Sequence, residues 1–268
     1  MKVKSSNSHN EFYSLAKYYD IAFQYINAES ESSFFEEILR KHSPHLKSKT
    51  FIEFAAGPAL NCIEMAKHGW NSTAVDLSPD MQTYGLEKAN QQGQKINYLC
   101  SDMIRFSSED KYDLAAILSD STSYLLTNDD VINHLRSVAD CLNDGGLYIL
   151  EMAHPKDVFG VAKLTATKWE AERDGCKVKI KWGSDSDVFD PVSQITNVTV
   201  TLDYFDNDKS GTITNTSPQR CFTATEFEAL VRASGVFEIA AVYGDIVSAM
   251  EFNNEKRAWR MVPVLRKK

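Results

Sequence analysis

The chain has 268 residues, 43% hydrophobic and 25% charged, the balance of a folded chain with a sizeable core. Its formal net charge is -8, and no basic run exceeds the terminal Arg266, Lys267 and Lys268, which argues against a nucleic acid partner. Five dispersed cysteines without a C-x-x-C pair give no disulfide framework and no metal site, and no stretch reaches the roughly 20 apolar residues of a membrane span. With no signal-peptide pattern at the start either, a cytoplasmic protein with no membrane partner is expected.

Residues 11 to 47 read as a helical lead-in, with Ser33 and Glu36 as a capping box and Phe34, Ile38 and Leu39 as an apolar stripe. At Thr50 the pattern becomes strand, tight turn and helix: TFIEFAAG, then Pro58 at a first helical position, with Gly69 closing the helix. NSTAVDLS is a second strand, Ser78 and Pro79 open a helix running to about Ala89, and KINYLCSD and YDLAAILSD are the third and fourth strands. Thr127 and Asp130 cap a helix ending near Cys141, and NDGG supplies the turn into a fifth strand, GLYILEMAH. Such alternation predicts an α/β fold with a parallel sheet covered by helices on both faces.

From Lys177 the period shifts to two. Val178, Ile180 and Trp182, then Val198, Val200, Leu202 and Tyr204, alternate with polar residues, which predicts a small antiparallel sheet at about 170 to 222. DNDKSG leads to a further short strand, Thr223 and Glu226 cap a last helix, and VFEIAAVYG and MVPVLRK are the final strands. The expected divisions are a lead-in and lid over 1-48, a core over 49-157, an antiparallel insertion over 158-222, and 223-268 completing the core.

In an open α/β sheet the ligand sits beyond the carboxyl ends of the strands. Those ends carry Glu53, Asp76, Asp102, Ser119 with Asp120, and Glu151 with His154. Each also has a purely structural reading, because strand ends meet polar loops. Asp76 ends the strand that follows the turn and helix, where a carboxylate can accept hydrogen bonds from both ribose hydroxyls of a nucleoside.

EFAAGPALNCIEMAKHGW followed by AVDLSPDM resembles motif one and the acidic second-strand motif of the class I methyltransferases that use S-adenosyl-L-methionine (SAM). SDMIRF is similar to their adenine-contacting segment, and the resemblance spans nearly the whole chain, least between about 158 and 190. It implies a seven-stranded Rossmann-like sheet and SAM as cofactor. Glu53 would lie under the methionine moiety beside the backbone of Ala55, Ala56 and Gly57, and Asp76 would hold the ribose. Leu77 and Met81 would flank the adenine, Asp102 and the Met103 amide would read its edge, and Ser119 joins the set from the fourth strand. Tyr19 is similar in place to tyrosines that close over the cofactor in this family; its structural alternative is a core aromatic among Phe12, Tyr13, Tyr18 and Phe23.

One departure stands out. Ala55 and Ala59 occupy positions where the family's turn commonly has glycine, and a methyl at a left-handed backbone position costs on the order of 1 kcal/mol. A dinucleotide turn would need glycine at Ala55 and Leu60, which disfavours a nicotinamide enzyme.

SAM carries its own leaving group, so no metal is required. His154 alone among the histidines stands at a strand's carboxyl end and is a candidate base, with a structural role braced by Pro155 as the alternative; Asp120 is a candidate for binding a cationic substrate. The sequence lacks the N-P-P-Y or D-P-P-Y and Pro-Cys motifs of base methylation. The insertion resembles those that roof small-molecule N- and O-methyltransferases, and Trp169, Trp182, Phe189 and Tyr204 either line a pocket or form its own core. The expected activity is methyl transfer to N or O of a small-molecule acceptor. The alternatives are a SAM-binding protein with weak or lost catalysis, and a protein or RNA methyltransferase.

Overall fold

The computed structural model describes residues 15-160 and 166-268, and in it two helices, α1 (Ala16–Ala22) and α2 (Ala28–His42), precede the first strand. The expected helical residues 11-14, with Phe12 and Tyr13, lie outside the described residues. Ser33 does not cap α2, as the sequence pattern suggested, but lies within it. The cap is Asn27, whose side chain accepts the Ser30 N–H at 3.0 Å. The earlier start places Glu29 and Glu31 in the first turn, where the helix dipole favours negative charge.

The core then alternates β1 (Thr50–Phe54), α3 (Leu60–Lys67), β2 (Asn71–Asp76), α4 (Pro79–Gln91), β3 (Asn97–Cys100), β4 (Tyr112–Ile117), α5 (Asn128–Cys141) and β5 (Leu142–Leu150). Every residue of β4 is buried, as a strand covered on both faces requires. Ser78 caps α4 with Pro79 in the first turn, and Thr127 and Asp130 form the expected reciprocal cap of α5. Pro58 is not helical. It belongs to the turn, because Ala59 behind it is left-handed and α3 can begin only at Leu60.

NDGG likewise lies inside β5 rather than ahead of it. The extra residues form a bulge against β4, with Gly145 at φ +76° packed so closely on His45 that a Cβ would come within 2.8 Å of its Nε2. After β5 come the short β6 (Met152–Ala153) and the one-turn α6 (Lys156–Phe159).

The antiparallel sheet comprises β7 (Thr167–Arg173), β8 (Cys176–Trp182), β9 (Phe189–Asp190), β10 (Ile195–Asp206) and β11 (Lys209–Arg220), in the order β11-β10-β8-β7 with β9 pairing to β10. β11 is a full-length partner of β10 over twelve residues and not the short strand expected, so the turn at Asn207 closes a long two-stranded ribbon. The chain ends with α7 (Ala224–Ser234), β12 (Phe237–Tyr243) and β13 (Arg260–Lys267). The large sheet runs β12-β13-β5-β4-β1-β2-β3; its first five strands in sequence are mutually parallel and β13 is antiparallel to β5.

The lead-in helix and the insertion are one layer. Tyr18, Ile21 and Ala22 of α1, with Phe23 just after it, form a shared core with Val178, Ile180, Val200 and Leu202 of the antiparallel sheet. Asp20, 1% exposed, fastens this layer to the main domain: its carboxylate accepts hydrogen bonds from Lys88 and Tyr84 of α4, each at 2.7 Å, and from Arg173 of β7.

Candidate active site

At the carboxyl ends of β1 and β2 the chain builds a crevice. Ala55, Gly57 and Ala59 all have left-handed backbones (φ 52°, 50° and 59°), so the two alanines bear the strain expected of residues in glycine positions. The turn is held by the buried Ala56, whose N–H donates to the Val75 carbonyl at 3.0 Å, and by Asp76. Asp76 accepts the Gly57 N–H on one oxygen at 2.8 Å and the Ser78 N–H on the other at 2.9 Å. Burial raises the Asp76 carboxyl above its ordinary range, and these backbone donors pull it back. Its remaining lone pairs are free for a vicinal diol.

Glu53 is 4% exposed, and its partners are the Asn61 amide at 3.4 Å and the Cys62 thiol at 3.5 Å; burial pushes its carboxyl up to about 7. Asn61 Oδ1 is buried beside it and has no donor among the described residues. An uncompensated carboxylate next to an orphaned acceptor fits the ammonium end of an amino-acid ligand. Gly57 leaves room above the turn, since the nearest atom to a Cβ there is Tyr19 Cε1 at 3.9 Å. Tyr19 stacks on Phe23 with ring centroids 4.4 Å apart. An ammonium socket, an open turn and a diol acceptor are what SAM presents a need for, and the chain's own residues fit it.

The other candidates for the crevice differ in setting. Met81 is fully buried, whereas Leu77 is 67% exposed beside it. Asp102 is exposed and accepts the Ile104 N–H at 2.9 Å, while the Met103 carbonyl is anchored by the buried His134 at 2.8 Å. His134 is held by Tyr148 on its other nitrogen at 2.6 Å, and burial drops its pKa to about 4, so the ring stays neutral.

Beyond Tyr19 and Ser119 opens a cavity of about 520 Å³. Its floor is the turn after β4, where Ser119 and Asp120 are both left-handed (φ 53° and 59°). The Ser119 N–H donates to Glu151 Oε2 at 2.7 Å, and Asp120 Oδ1 accepts the Ala153 N–H at 2.8 Å. Burial pushes the Asp120 carboxyl up to about 6, against the Ala153 bond and the Arg260 charge. Five carboxylates line the cavity, Glu31, Asp120, Glu151, Asp157 and Asp245, and Arg260 is the single cation among the described residues there. Glu31 is pushed up to about 8, first by burial and then by the neighbouring Glu151 charge.

Of the four insertion aromatics, Trp169 and Trp182 line this cavity. Tyr204 instead stacks on Tyr18 at 4.2 Å, and Phe189 packs edge-on against Phe159 at 5.3 Å. His154 is not in the cavity wall. Its Nε2 faces the Asn253 carbonyl at 3.0 Å and its Nδ1 accepts the Lys156 N–H at 3.1 Å, so the ring is a brace with no nitrogen left for a base. Glu31, Asp245, Trp259 and Arg260 were not singled out from the sequence. The signal for the last three was the long excursion between β12 and β13, which no tight hairpin would need.

Residues 51–146 match the family model described as "Methyltransferase domain". The chain is 26% identical over 195 residues to "Putative methyltransferase YqeM" of Bacillus subtilis, covering 72% of this chain and 75% of that one. Among solved structures it is similar to an S-adenosylmethionine-dependent methyltransferase from Clostridium acetobutylicum (TM-score 0.77, 20% identity, 97% of this chain and 99% of that one). It is also similar to the sugar N-methyltransferase KedS8 from a Streptoalloteichus species (TM-score 0.72, 15% identity, 100% and 99%). A methyltransferase domain thus lies over the strands that build the crevice, and the fold along nearly the whole chain is the one seen in solved SAM-dependent methyltransferases.

Proposed function

We propose that the chain methylates an amine nitrogen of a small molecule held in the cavity between Asp120 and the tryptophans. The observation that carries this is the cavity wall: among the described residues, five acidic side chains, of which Glu31 is kept protonated by burial, face one guanidinium, with Trp169, Trp182 and Trp259 among the apolar residues. Carboxylates and indole faces both favour a cation, and the volume suits a small acceptor. The likeness to a sugar N-methyltransferase is in line with this reading.

When bound, SAM supplies an electrophilic methyl on a sulfonium leaving group. Glu53 and Asn61 would hold its ammonium end, Asp76 its ribose, and Tyr19 would cover it above Gly57. Asp120 would pair with the incoming ammonium and take its proton before attack, leaving on nitrogen the lone pair that receives the methyl while the C–S pair returns to sulfur, because a carboxyl near 6 is ionised at neutral pH yet basic enough to be useful. Tyr19, Trp169 and Trp182 would exclude water from the pair.

The test is mass spectrometry of products after incubation with SAM and matched panels of small amines and their alcohol counterparts. Methylated amines are the expected product. Methylation of alcohols alone, or of no small molecule while SAM binds, would refute the reading.

A further inference from the structure

We propose that Arg260 is the anion-recognising residue of the acceptor site, so that the acceptor carries a carboxylate or phosphate beside the group that is methylated. The inference rests on the cavity being the acceptor site. Arg260 stands at the start of β13, and its guanidinium is placed by an ion pair and by an aromatic face. Its Nε lies 2.8 Å from Glu151 Oε1, and Glu151, 5% exposed, is itself fixed through Oε2 by the Ser119 N–H. The guanidinium lies 4.3 Å from the centre of the Trp259 ring, whose Nε1 is tethered to Asp245 Oδ1 at 3.2 Å.

No hydrogen bond engages Nη1 or Nη2 among the described residues. Arg266, an arginine whose donors are used within the fold, behaves differently, and its Nη1 donates to the His42 carbonyl at 3.1 Å. Arg266 brings Nε to 2.7 Å and Nη2 to 2.5 Å of the same Glu238 oxygen. Arg260 meets Glu151 only as an ion pair at Nε, without a hydrogen bond there, and as a residue of the cavity wall it leaves its donors unused. A restrained guanidinium with an open fork is arranged in advance for two parallel bonds to a carboxylate or phosphate.

The surroundings sharpen the point. A free anion would be repelled by the other carboxylates of the wall, so the fork suits a ligand whose negative group is accompanied by a positive one. Arg260 and Glu151 both act on the Asp120 carboxyl, one lowering and one raising it, which puts the two poles of such a ligand within electrostatic reach of each other.

The probes are inorganic phosphate and acetate at millimolar concentration, added to protein saturated with the demethylated product of SAM, with thermal unfolding as the readout. At least one of them should raise the wild-type Tm, an increase lost in Arg260→Gln and at least halved in Arg260→Lys. A response to phosphate alone marks a phosphorylated acceptor, and a response to acetate alone a carboxylate. Equal shifts in all three proteins, or no shift with either anion, would overturn the proposal. Should Arg260→Gln fail to fold, Arg260→Lys keeps a counter-charge for Glu151 and carries the comparison. Calorimetry separates the two ends of the site: SAM affinity within threefold of wild type in Arg260→Lys is expected, and a tenfold loss would assign the fork to the cofactor's carboxylate instead. An Arg260-dependent shift without methylation of any amine would leave this inference standing and remove the amine reading.

Discussion

Glu31→Gln should make the protein less sensitive to rising pH. Glu31 is 8% exposed in the first turn of α2, and burial together with the Glu151 and Glu53 charges pushes its carboxyl up to about 8. In the unfolded chain it titrates near 4.5. Between those values the folded protein keeps a proton that the unfolded chain has released, so stability falls as pH rises from about 4.5 to about 8 and is level above that. The interval sets a ceiling of about 5 kcal/mol; water in the adjoining cavity reduces the expected loss to about 2 kcal/mol. Glutamine keeps the shape and cannot ionise. In urea titrations of SAM-free protein at pH 5, 6, 7 and 8, the stability of Glu31→Gln relative to wild type should therefore grow by about 2 kcal/mol across the series. Parallel curves, separated by a constant offset at every pH, would refute the reasoning and mean that Glu31 is already ionised in the folded state.

Further outcomes are expected. Asp76→Ala should weaken SAM binding more than Asp102→Ala in calorimetry, since each charge-assisted bond lost is worth about 1.5 to 3 kcal/mol and the Gly57 and Ser78 N–H groups lose their acceptor too. Ala55→Gly should stabilise by about 0.5 to 1 kcal/mol by relieving a half-buried left-handed alanine; Ala59→Gly should gain nothing, because its fully buried methyl contributes about 0.8 kcal/mol of packing. Denaturation midpoints of the two variants check this. Asp20→Ala should cost about 3 kcal/mol, measured the same way, by stranding Lys88 and Arg173. With an amine substrate, kcat/KM should rise with pH through about 6 as Asp120 loses its proton, and Asp120→Asn should remove that limb of the profile and lower the rate about a hundredfold or more.

The alternation of strands and helices was readable because each strand of the large sheet is short, apolar and punctuated, and because Ser78, Thr127 and Thr223 cap their helices as their spacing promised. Boundaries failed where backbone conformation overruled pattern. Ala59 in a left-handed state pushed the start of α3 past Pro58, and the bulge at Gly145 absorbed a turn into β5. The crevice residues could be named because one turn and two strand ends bring them together locally. The cavity was legible only in part: Ser119, Asp120, Glu151, Trp169 and Trp182 stood among the candidates, whereas Glu31 and Arg260 are brought to it by α2 and β13, elements far apart in the chain. His154 illustrates the limit: its place at a strand end was correct, and only the contacts of both ring nitrogens revealed a brace.

The shared core of α1 and the antiparallel sheet defines what can be exchanged between relatives. A graft of β7 to β11 alone onto another scaffold would bare Val178, Ile180, Val200 and Leu202 on one side, and leave Tyr18 and Ile21 uncovered on the donor. The transferable part is discontinuous: a helix from near the beginning of the chain and a sheet from its second half, with Asp20 and Arg173 travelling as a matched pair. Any exchange of this layer, whether selected in nature or engineered, therefore needs coordinated change in two distant stretches of the gene.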